Sequence, residues 1–384
     1  MKINKAYKFR MYPTKKQIEY IEGVFNACRF VYNVSLDCEQ QLYQLGAKCN
    51  LSAFGLSYHL TNYKINSPWL KNYDSLALEF EMHNLAASFE KFFKGGGYPK
   101  FKSKKEPIQS FRTRINKTNI KLFENSIKIP KLDTPIEIVK HREVEGKIKQ
   151  LTISRKNGKY YVSIMTEIEK EIPVITTNKE VGVDLGLKYF AILDNGEKIE
   201  NPNFLKSELE YLAKLQKKFS LTKKGSNNHF KLKSKISSLH EKIKNKRELF
   251  LHETSKKLVN EYDTFYFEDL NVKGMSSSAK GTSEKPGKNV KQKSGLNRNV
   301  LDVSFGNFLN MVEYKSKFAG KTLIKVNRFF PSSKNCSNCD YKNTGLVLKD
   351  RFWVCSNCGF QHDRDVNAAK NIKKEGRKIL ISKK

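Results

Sequence analysis

Four cysteines carry the most specific spacing in the chain: Cys336-x2-Cys339, an interval of fifteen residues, then Cys355-x2-Cys358. Each C-x-x-C knuckle brings two thiolates to one ion, and the loop between them closes a four-sulfur site suited to tetrahedral Zn²⁺. With four protein ligands no position remains for water, so the expected zinc is structural and holds a small ribbon together; a redox dithiol or an iron cluster is the competing use. Reactive chemistry is expected from acids instead. Asp184 lies within the apolar run Val181–Leu185, and Glu268 follows the apolar run Thr264–Phe267. A carboxylate on a buried strand is costly unless it is paired or binds a metal. A third acid stands in His362-Asp363-Arg364-Asp365-Val366-Asn367-Ala368-Ala369, at the expected start of the last helix. If two strand acids and one helix-start acid converge, they can hold two divalent cations about 4 Å apart, the requirement for metal-assisted phosphodiester hydrolysis. Helix caps and ion pairs are the other use of the same residues, and Asp363 has the position of an N-cap.

Strand, strand and helix start is the arrangement an RNase H-like sheet supplies. Val181–Leu185 and Tyr189–Leu193, followed by the turn Asp194-Asn195-Gly196, predict a buried hairpin. Two lysine-rich amphipathic helices come next, one with Leu205, Leu209, Leu212 and Leu215, the other with Ile236, Leu239, Ile243, Phe250 and Leu258. Residues 273–298 hold seven cations and one acid among serines and glycines, which predicts a mobile lid or disordered loop beside a phosphate backbone. A helix over 301–318, a strand over Lys321–Asn327, the cysteine segment and a helix from about Val366 complete this half.

The other half begins with a basic strand, Lys5–Tyr12, in which Tyr7, Phe9 and Met11 alternate with polar positions. Thr14 and Gln17 have capping-box spacing and open a helix with the stripe Ile18, Ile21, Phe25, Cys28, Val31, Tyr32. Further helices are expected around 52–63 and 75–93, ended by Gly95-Gly96-Gly97. From 108 to 170 short β-like runs follow, with an Asn157-Gly158 hairpin turn. These predict a small β-barrel completed by the N-terminal strand, with the helices inserted between its first strand and the rest.

The chain has 384 residues, 72 Lys+Arg against 39 Asp+Glu and a net charge of +33, yet 39% of it is hydrophobic. The charge therefore belongs to folded domains and calls for a polyanion. No run approaches the roughly 18 to 20 apolar residues of a membrane span, and no signal peptide is visible, so nucleic acid inside a cell is the expected partner. The remaining cysteines, Cys28, Cys38 and Cys49, read as buried thiols in helices of a reduced protein. Lys8, Arg10 and Tyr12, with Lys100, Lys102 and Arg112, are candidate contacts that pair phosphates and stack bases. No Walker motif and no His-x-His pair occurs, which disfavours ATP-driven unwinding and relaxase-type chemistry.

Lys5-Ala6-Tyr7-Lys8-Phe9-Arg10-Met11-Tyr12-Pro13-Thr14, Val183-Asp184-Leu185-Gly186, Glu268-Asp269-Leu270-Asn271, the paired knuckles and Asp363-Arg364-Asp365-Val366-Asn367-Ala368-Ala369-x-Asn371-Ile372 together resemble the TnpB proteins of insertion sequences, relatives of the compact type V CRISPR effectors. The resemblance covers nearly the whole chain in order. It implies a multidomain α+β and α/β protein: a β-barrel wedge domain (1–14 and 108–178), an inserted helical recognition domain (15–107), and a RuvC/RNase H-like nuclease domain (179–330 and 361–384) interrupted by a zinc ribbon (331–360). It implies an RNA-guided DNA endonuclease acting next to a short motif, with Asp184, Glu268 and Asp365 as catalytic acids holding Mg²⁺, or Mn²⁺ in its place. Asp365 is preferred to Asp363 because it stands two residues before Asn367. The implied partners are a guide RNA from the transposon end and double-stranded target DNA, in a prokaryotic cytoplasm and nucleoid. A guided or non-guided binder without cleavage, acting as a repressor or transposition regulator, is the alternative, and a transposase that joins DNA ends would use a similar three-acid site.

Overall fold

The computed structural model describes residues 1–116, 118–169, 171, 177–347 and 349–382. The expected boundary at 178/179 adjoins residues 172–176, which lie outside the described residues, as do 383 and 384 at the end of the expected nuclease segment and 348 within the expected ribbon. The chain forms two compact units, 1–171 and 172–384.

In the first unit β1 (Lys2–Tyr12) leads into α1 (Lys15–Gln44), α2 (Ala53–Asn66) and α3 (Ser75–Phe93). The strands β2 (Ile108–Arg114), β3 (Lys121–Leu122), β4 (Ser126–Lys128), β5 (Ile136–Val139), β6 (Lys147–Lys156) and β7 (Lys159–Glu169) follow. They pair in the order β2-β6-β7-β1-β5-β4-β3, with every described pairing antiparallel. The expected barrel is thus an open sheet among the described residues, with β2 and β3 as its edges. Helices supply the reason: Tyr7, Phe9 and Met11 share one hydrophobic core with Ile21, Phe25, Leu78 and Leu85, so the face a closed barrel would turn inward is filled by α1 and α3. Phe25 meets Phe111 edge to face at 5.6 Å. The Thr14–Gln17 capping box forms, and Gln17 Nε2 also donates to Thr134 and Pro135, fixing the helix entry beside β5. Asn157 and Gly158 both take positive φ, as a two-residue I′ hairpin demands.

The second unit contains β8 (Glu180–Leu185), β9 (Tyr189–Leu193), β10 (Lys198–Glu200), α4 (Phe204–Ser220), α5 (Asn227–Glu261) and β11 (Thr264–Glu268). It continues with α6 (Val272–Met275), α7 (Val290–Val303), α8 (Phe305–Phe318), β12 (Thr322–Val326), β13 (Phe352–Val354), β14 (Gln361–Asp363) and α9 (Arg364–Ile381). Its sheet runs β10-β9-β8-β11-β12, with β11 parallel to β8 and β12 and the other pairs antiparallel. The central strands are covered on both faces, which is why they read as continuous apolar runs. Val181, Val183, Phe265 and Phe267 pack with Leu251, Leu258, Phe308 and Val312 of α5 and α8. On the other face Tyr266, Ile324 and Val326 meet Ile372 of α9.

Two expectations change here. The single helix over 301–318 is two, because Ser304 takes a left-handed φ of 58° between α7 and α8. Residues 290–298, expected in a lid or disordered loop, belong to α7, whose buried residues Val300 and Val303 lie beyond that stretch. Of the three scattered thiols Cys28 is buried, Cys38 is half-buried, and Cys49 is half-buried in the loop after α1 rather than in a helix. Among the described residues no helix is long and apolar enough to cross a membrane.

Candidate functional site

Side chains alternate along β8, so the face occupied by Gly182 is also that of Asp184. A Cβ at Gly182 would stand 2.2 Å from the Ala369 carbonyl, which places α9 directly over this face. The same holds for β11: Tyr266 packs so closely under Gly376 that a Cβ there would stand 2.1 Å from its ring, and Glu268, two residues on, shares the Tyr266 face. The strands are parallel, and Asp184 and Glu268 are each one residue beyond the paired Val183 and Phe267. Both acids therefore emerge at the same end of adjacent strands. Asp365 is on the sheet-facing stripe of α9, Asp365-Ala369-Ile372-Gly376, in its first turn. Two small residues let the helix approach, and that approach carries the third acid to the other two.

The electrostatics of Asp184 register the convergence. Burial and then the charges of Asp365 and Glu268 push its carboxyl from the ordinary 3.8 up to about 7, with Arg364 opposing. Glu268 is pushed up by burial and by Asp269. Asp365 is held by Arg351 at 3.3 Å, and Arg328 pairs with Asp269 at 2.7 Å. Asp363 plays a different part: its Oδ1 accepts from the backbone N–H groups of Asp365 and Val366 as the N-cap of α9, while Oδ2 meets Lys198 at 2.6 Å. Further ion pairs, Lys373–Asp194 and Arg377–Glu180, pin α9 along β8 and the turn after β9.

All four knuckle sulfurs lie within 4.8 Å of one another, with Cys336–Cys358 and Cys339–Cys355 each at 3.6 Å. Bonds of about 2.3 Å to one tetrahedral Zn²⁺ require sulfurs roughly 3.8 Å apart, so the residues fit the ion. The Asn338 amide and then the Phe360 backbone N–H lower the Cys358 thiol to about 6, favouring the thiolate that zinc binds. Among the described residues the cysteines are the one group of three or more potential ligands gathered this closely, and the carboxylate oxygens stand further apart.

Sequence reasoning missed the parts that join ribbon to helix. Asn367 Oδ1 accepts from the Ser337 backbone N–H, between the first two cysteines, and its Nδ2 donates to Asn335. Asn371, one turn on and also buried, donates to Ser332 and Asn335. The Asn-x3-Asn spacing on one helical face was the available signal. Asn367→Ala orphans the Ser337 N–H and is expected to cost about 1–3 kcal/mol, seen as a lower midpoint in denaturant titration. Gly182→Ala forces α9 off the sheet. It is expected to cost about 1–3 kcal/mol and to impair any reaction that uses Asp365, which thermal melting and activity assays together would register.

The nucleic-acid candidates divide. Lys8, Arg10 and Tyr12 lie on the face of β1 opposite the core, where Tyr161 receives Lys8 at 4.7 Å and Arg10 at 5.2 Å and Tyr12 is half exposed. Lys100 is exposed, and Arg112 is exposed over the Phe80 ring. Lys102 differs from the others: its ammonium is paired with buried Glu81 and lies 4.3 Å from the Tyr32 ring centre, so it has an internal partner while its side chain stays about a third exposed.

Residues 163–279 match a family model described as a probable transposase, and 305–372 match the Cas12f1-like TNB domain. Residues 1–48 match a helix-turn-helix domain model, although the structure has there a strand and one 30-residue helix. A Streptomyces pristinaespiralis protein named as a candidate RNA-guided DNA endonuclease is 32% identical, covering 96% of this chain and 89% of the relative. An Escherichia coli relative with the same description, InsQ, is 32% identical over 99% of this chain and 94% of its own. In fold, the chain resembles the Cas12f1 protein of a complex with single-guide RNA and target DNA, at a TM-score of 0.63 and 13% identity, covering 97% of this chain and 99% of that one. With relatives this similar across nearly their whole length, the chain belongs to the TnpB family of insertion-sequence proteins.

Proposed function

We propose that this chain is an RNA-guided DNA endonuclease of a transposable element, cutting target DNA by metal-assisted phosphodiester hydrolysis. The observation that carries the reading is the convergence of Asp184, Glu268 and Asp365 at one end of the β8–β11 pair, where burial and then the charges of the other two acids raise the Asp184 carboxyl. Three carboxylates are a hard oxygen donor set suited to Mg²⁺, or to Mn²⁺ in its place. Divalent cations bound there would supply an activated water and charge stabilisation at the leaving oxygen. The chain's own contribution is positional. Adjacent parallel strands fix Asp184 and Glu268 in register, the Gly182–Ala369 contact sets the height of α9, and the Asp363 cap holds the turn that bears Asp365.

On this reading the first unit is the wedge sheet with α1–α3 as the recognition helices. The second is a RuvC-like nuclease into which the zinc ribbon is inserted. The net charge of +33 suits a protein that holds a guide RNA and a DNA duplex by their backbones while base pairing reads the sequence. The test is to express the chain with RNA from its own locus, sequence the RNA that co-purifies, and supply matched target DNA with Mg²⁺. A discrete RNA with a variable end and cleavage at the matched site are expected. Guided binding without cleavage in Mg²⁺ or Mn²⁺ would favour a repressor, and joining of DNA ends a transposase.

A further inference from the structure

The two knuckles share one sequence, Cys-Ser-Asn-Cys, at 336–339 and 355–358. Their asparagines bond crosswise: Asn338 Nδ2 donates to Cys358 Sγ and Asn357 Nδ2 to Cys339 Sγ, each at 3.5 Å. A third side chain reaches a third sulfur from outside the knuckles. His362 Nε2 lies 3.1 Å from Cys336 Sγ, and the two residues are buried, at 4% and 0% exposure. The imidazole is fixed by its neighbours. His362 is the ladder partner of Trp353 across β13 and β14, with ring centres 4.6 Å apart, and the Phe360 ring lies 4.8 Å away.

The chemistry of the sulfur decides what this contact is. Four thiolates around one Zn²⁺ leave roughly two negative charges on the cluster. Cys336 is shut off from water, so that charge is costly there unless protein groups donate to it. A zinc-bound thiolate has no proton of its own and can only accept, so the Nε2 facing it must carry the N–H. Donors of this kind offset the charge on the sulfurs and orient the ligands that bear them. Asn338 and Asn357 do this from within the knuckles. His362 does it from β14, and the next residue, Asp363, caps α9. Its contact with Cys336 is therefore also a tie between the first knuckle and the strand that leads into α9.

We propose that His362 is a positioning residue of the zinc site, donating its Nε2–H to the Cys336 thiolate and so fixing the first knuckle against β14. The proposal rests on the zinc reading of the four cysteines and is independent of DNA cleavage. It is tested in the full chain with two substitutions. His362→Phe keeps a ring beside Trp353 and Phe360 but has no donor, whereas His362→Gln gives up the ring and keeps an N–H at similar reach. Zinc affinity is read by competition with a chromogenic chelator. His362→Phe is expected to hold zinc about 10–100-fold more weakly, and His362→Gln to keep most of the native affinity. Co²⁺ in place of zinc gives a second readout, the thiolate-to-metal charge-transfer band. A hydrogen bond lowers the energy of the sulfur lone pair, so the band should move to longer wavelength in His362→Phe and stay at the native position in His362→Gln. A native chain that takes up neither ion refutes the four-thiolate site itself. Native uptake with unchanged zinc affinity in His362→Phe overturns the donor alone. So does a loss of affinity that is equal in both variants or leaves the cobalt band unmoved, because His362 would then supply packing and not an N–H.

Discussion

Asp184→Asn abolishes DNA cleavage, by about a thousandfold or more, leaves guide and target binding within about twofold, and makes the metal-free protein melt at a higher temperature. The first effect follows from the proposed role of Asp184 as a charged metal ligand at the point where charge must be stabilised. The second follows from position, because Asp184 is under α9 at a strand end rather than on a broad basic surface. The third has a sign that can be worked out. In the native protein Asp184 titrates near 7, well above its ordinary 3.8. At pH 8 it is ionised both folded and unfolded, so folding must bury a charge, and bury it beside two other acids. As the pH falls through 7 the native carboxyl takes up its proton, and the penalty shrinks steadily until it vanishes near 4. Asparagine carries no such penalty. The gain in melting temperature should be largest above pH 7, about 2–4 °C for each kcal/mol relieved, and should fade toward pH 4. Mg²⁺ should stabilise the native sequence more than the variant. Cleavage surviving at the native rate would remove Asp184 from the mechanism, and a lower melting temperature would mean that burial and the neighbouring acids do not penalise the Asp184 charge as described.

How much of this site was legible in the sequence depends on how local each determinant is. Asp184 and Glu268 stood out because each interrupts or ends a run of apolar residues, and charge on a strand buried on both faces needs a reason. The choice of Asp365 over Asp363 was not available from spacing: both stand at the helix start, and resemblance to a family decided it. In the structure Asp363 spends its carboxylate on capping and on Lys198, while Asp365 lies on the stripe facing the sheet and pairs with Arg351, which suits the proposed choice. Arg351 could not have been found, because only the β13–β14 ladder brings it beside Asp365. The ion pair of Lys102 was hidden for the opposite reason. In a segment dense with cations nothing marks the one that finds an internal partner, and Glu81 is 21 residues away in the chain.

The fold was legible where one period dominates. Alternation along β1 and the 3.6-residue stripe of α1 translate directly into the buried faces of a strand and a helix. It failed where tertiary contacts outweigh local composition. The serine-, glycine- and lysine-rich stretch reads as disorder over 273–298, yet its last residues are helical because α7 continues to Val300 and Val303, which are buried. Closure of the sheet was not legible for a related reason. Strand patterns report that one face is covered but not by what, and here α1 and α3 share the core with strands from across the sheet.

Cys336→Ser is expected to empty the ribbon of zinc while leaving the main core of the second unit folded. Cys336 is fully buried, with Cys358 Sγ at 3.6 Å and His362 Nε2 at 3.1 Å. An apparent zinc affinity of about 10–16 kcal/mol in small metal-folded modules depends on all four ligands, and serine at neutral pH offers a hydroxyl in place of a thiolate. Apart from the Asn367 and Asn371 hydrogen bonds to its first knuckle, the ribbon has a small apolar cluster of its own, Leu346, Trp353 and the cysteines, separate from the cores on either face of the β8–β11–β12 sheet. Bound metal should therefore fall from one zinc per chain to near zero, and limited proteolysis should cut first between 333 and 360. Cleavage of DNA should fall as well, through structure rather than chemistry. The β13–β14 hairpin runs straight into α9, the Arg364 N–H donates to the Arg351 carbonyl at 2.8 Å, and Arg351 holds Asp365, so a loosened ribbon releases the third acid. Unchanged zinc content would refute the four-thiolate site. Loss of zinc with native cleavage would show that Asp365 keeps its place without the ribbon, leaving the Asp363 cap and the Gly182–Ala369 contact as sufficient to position it.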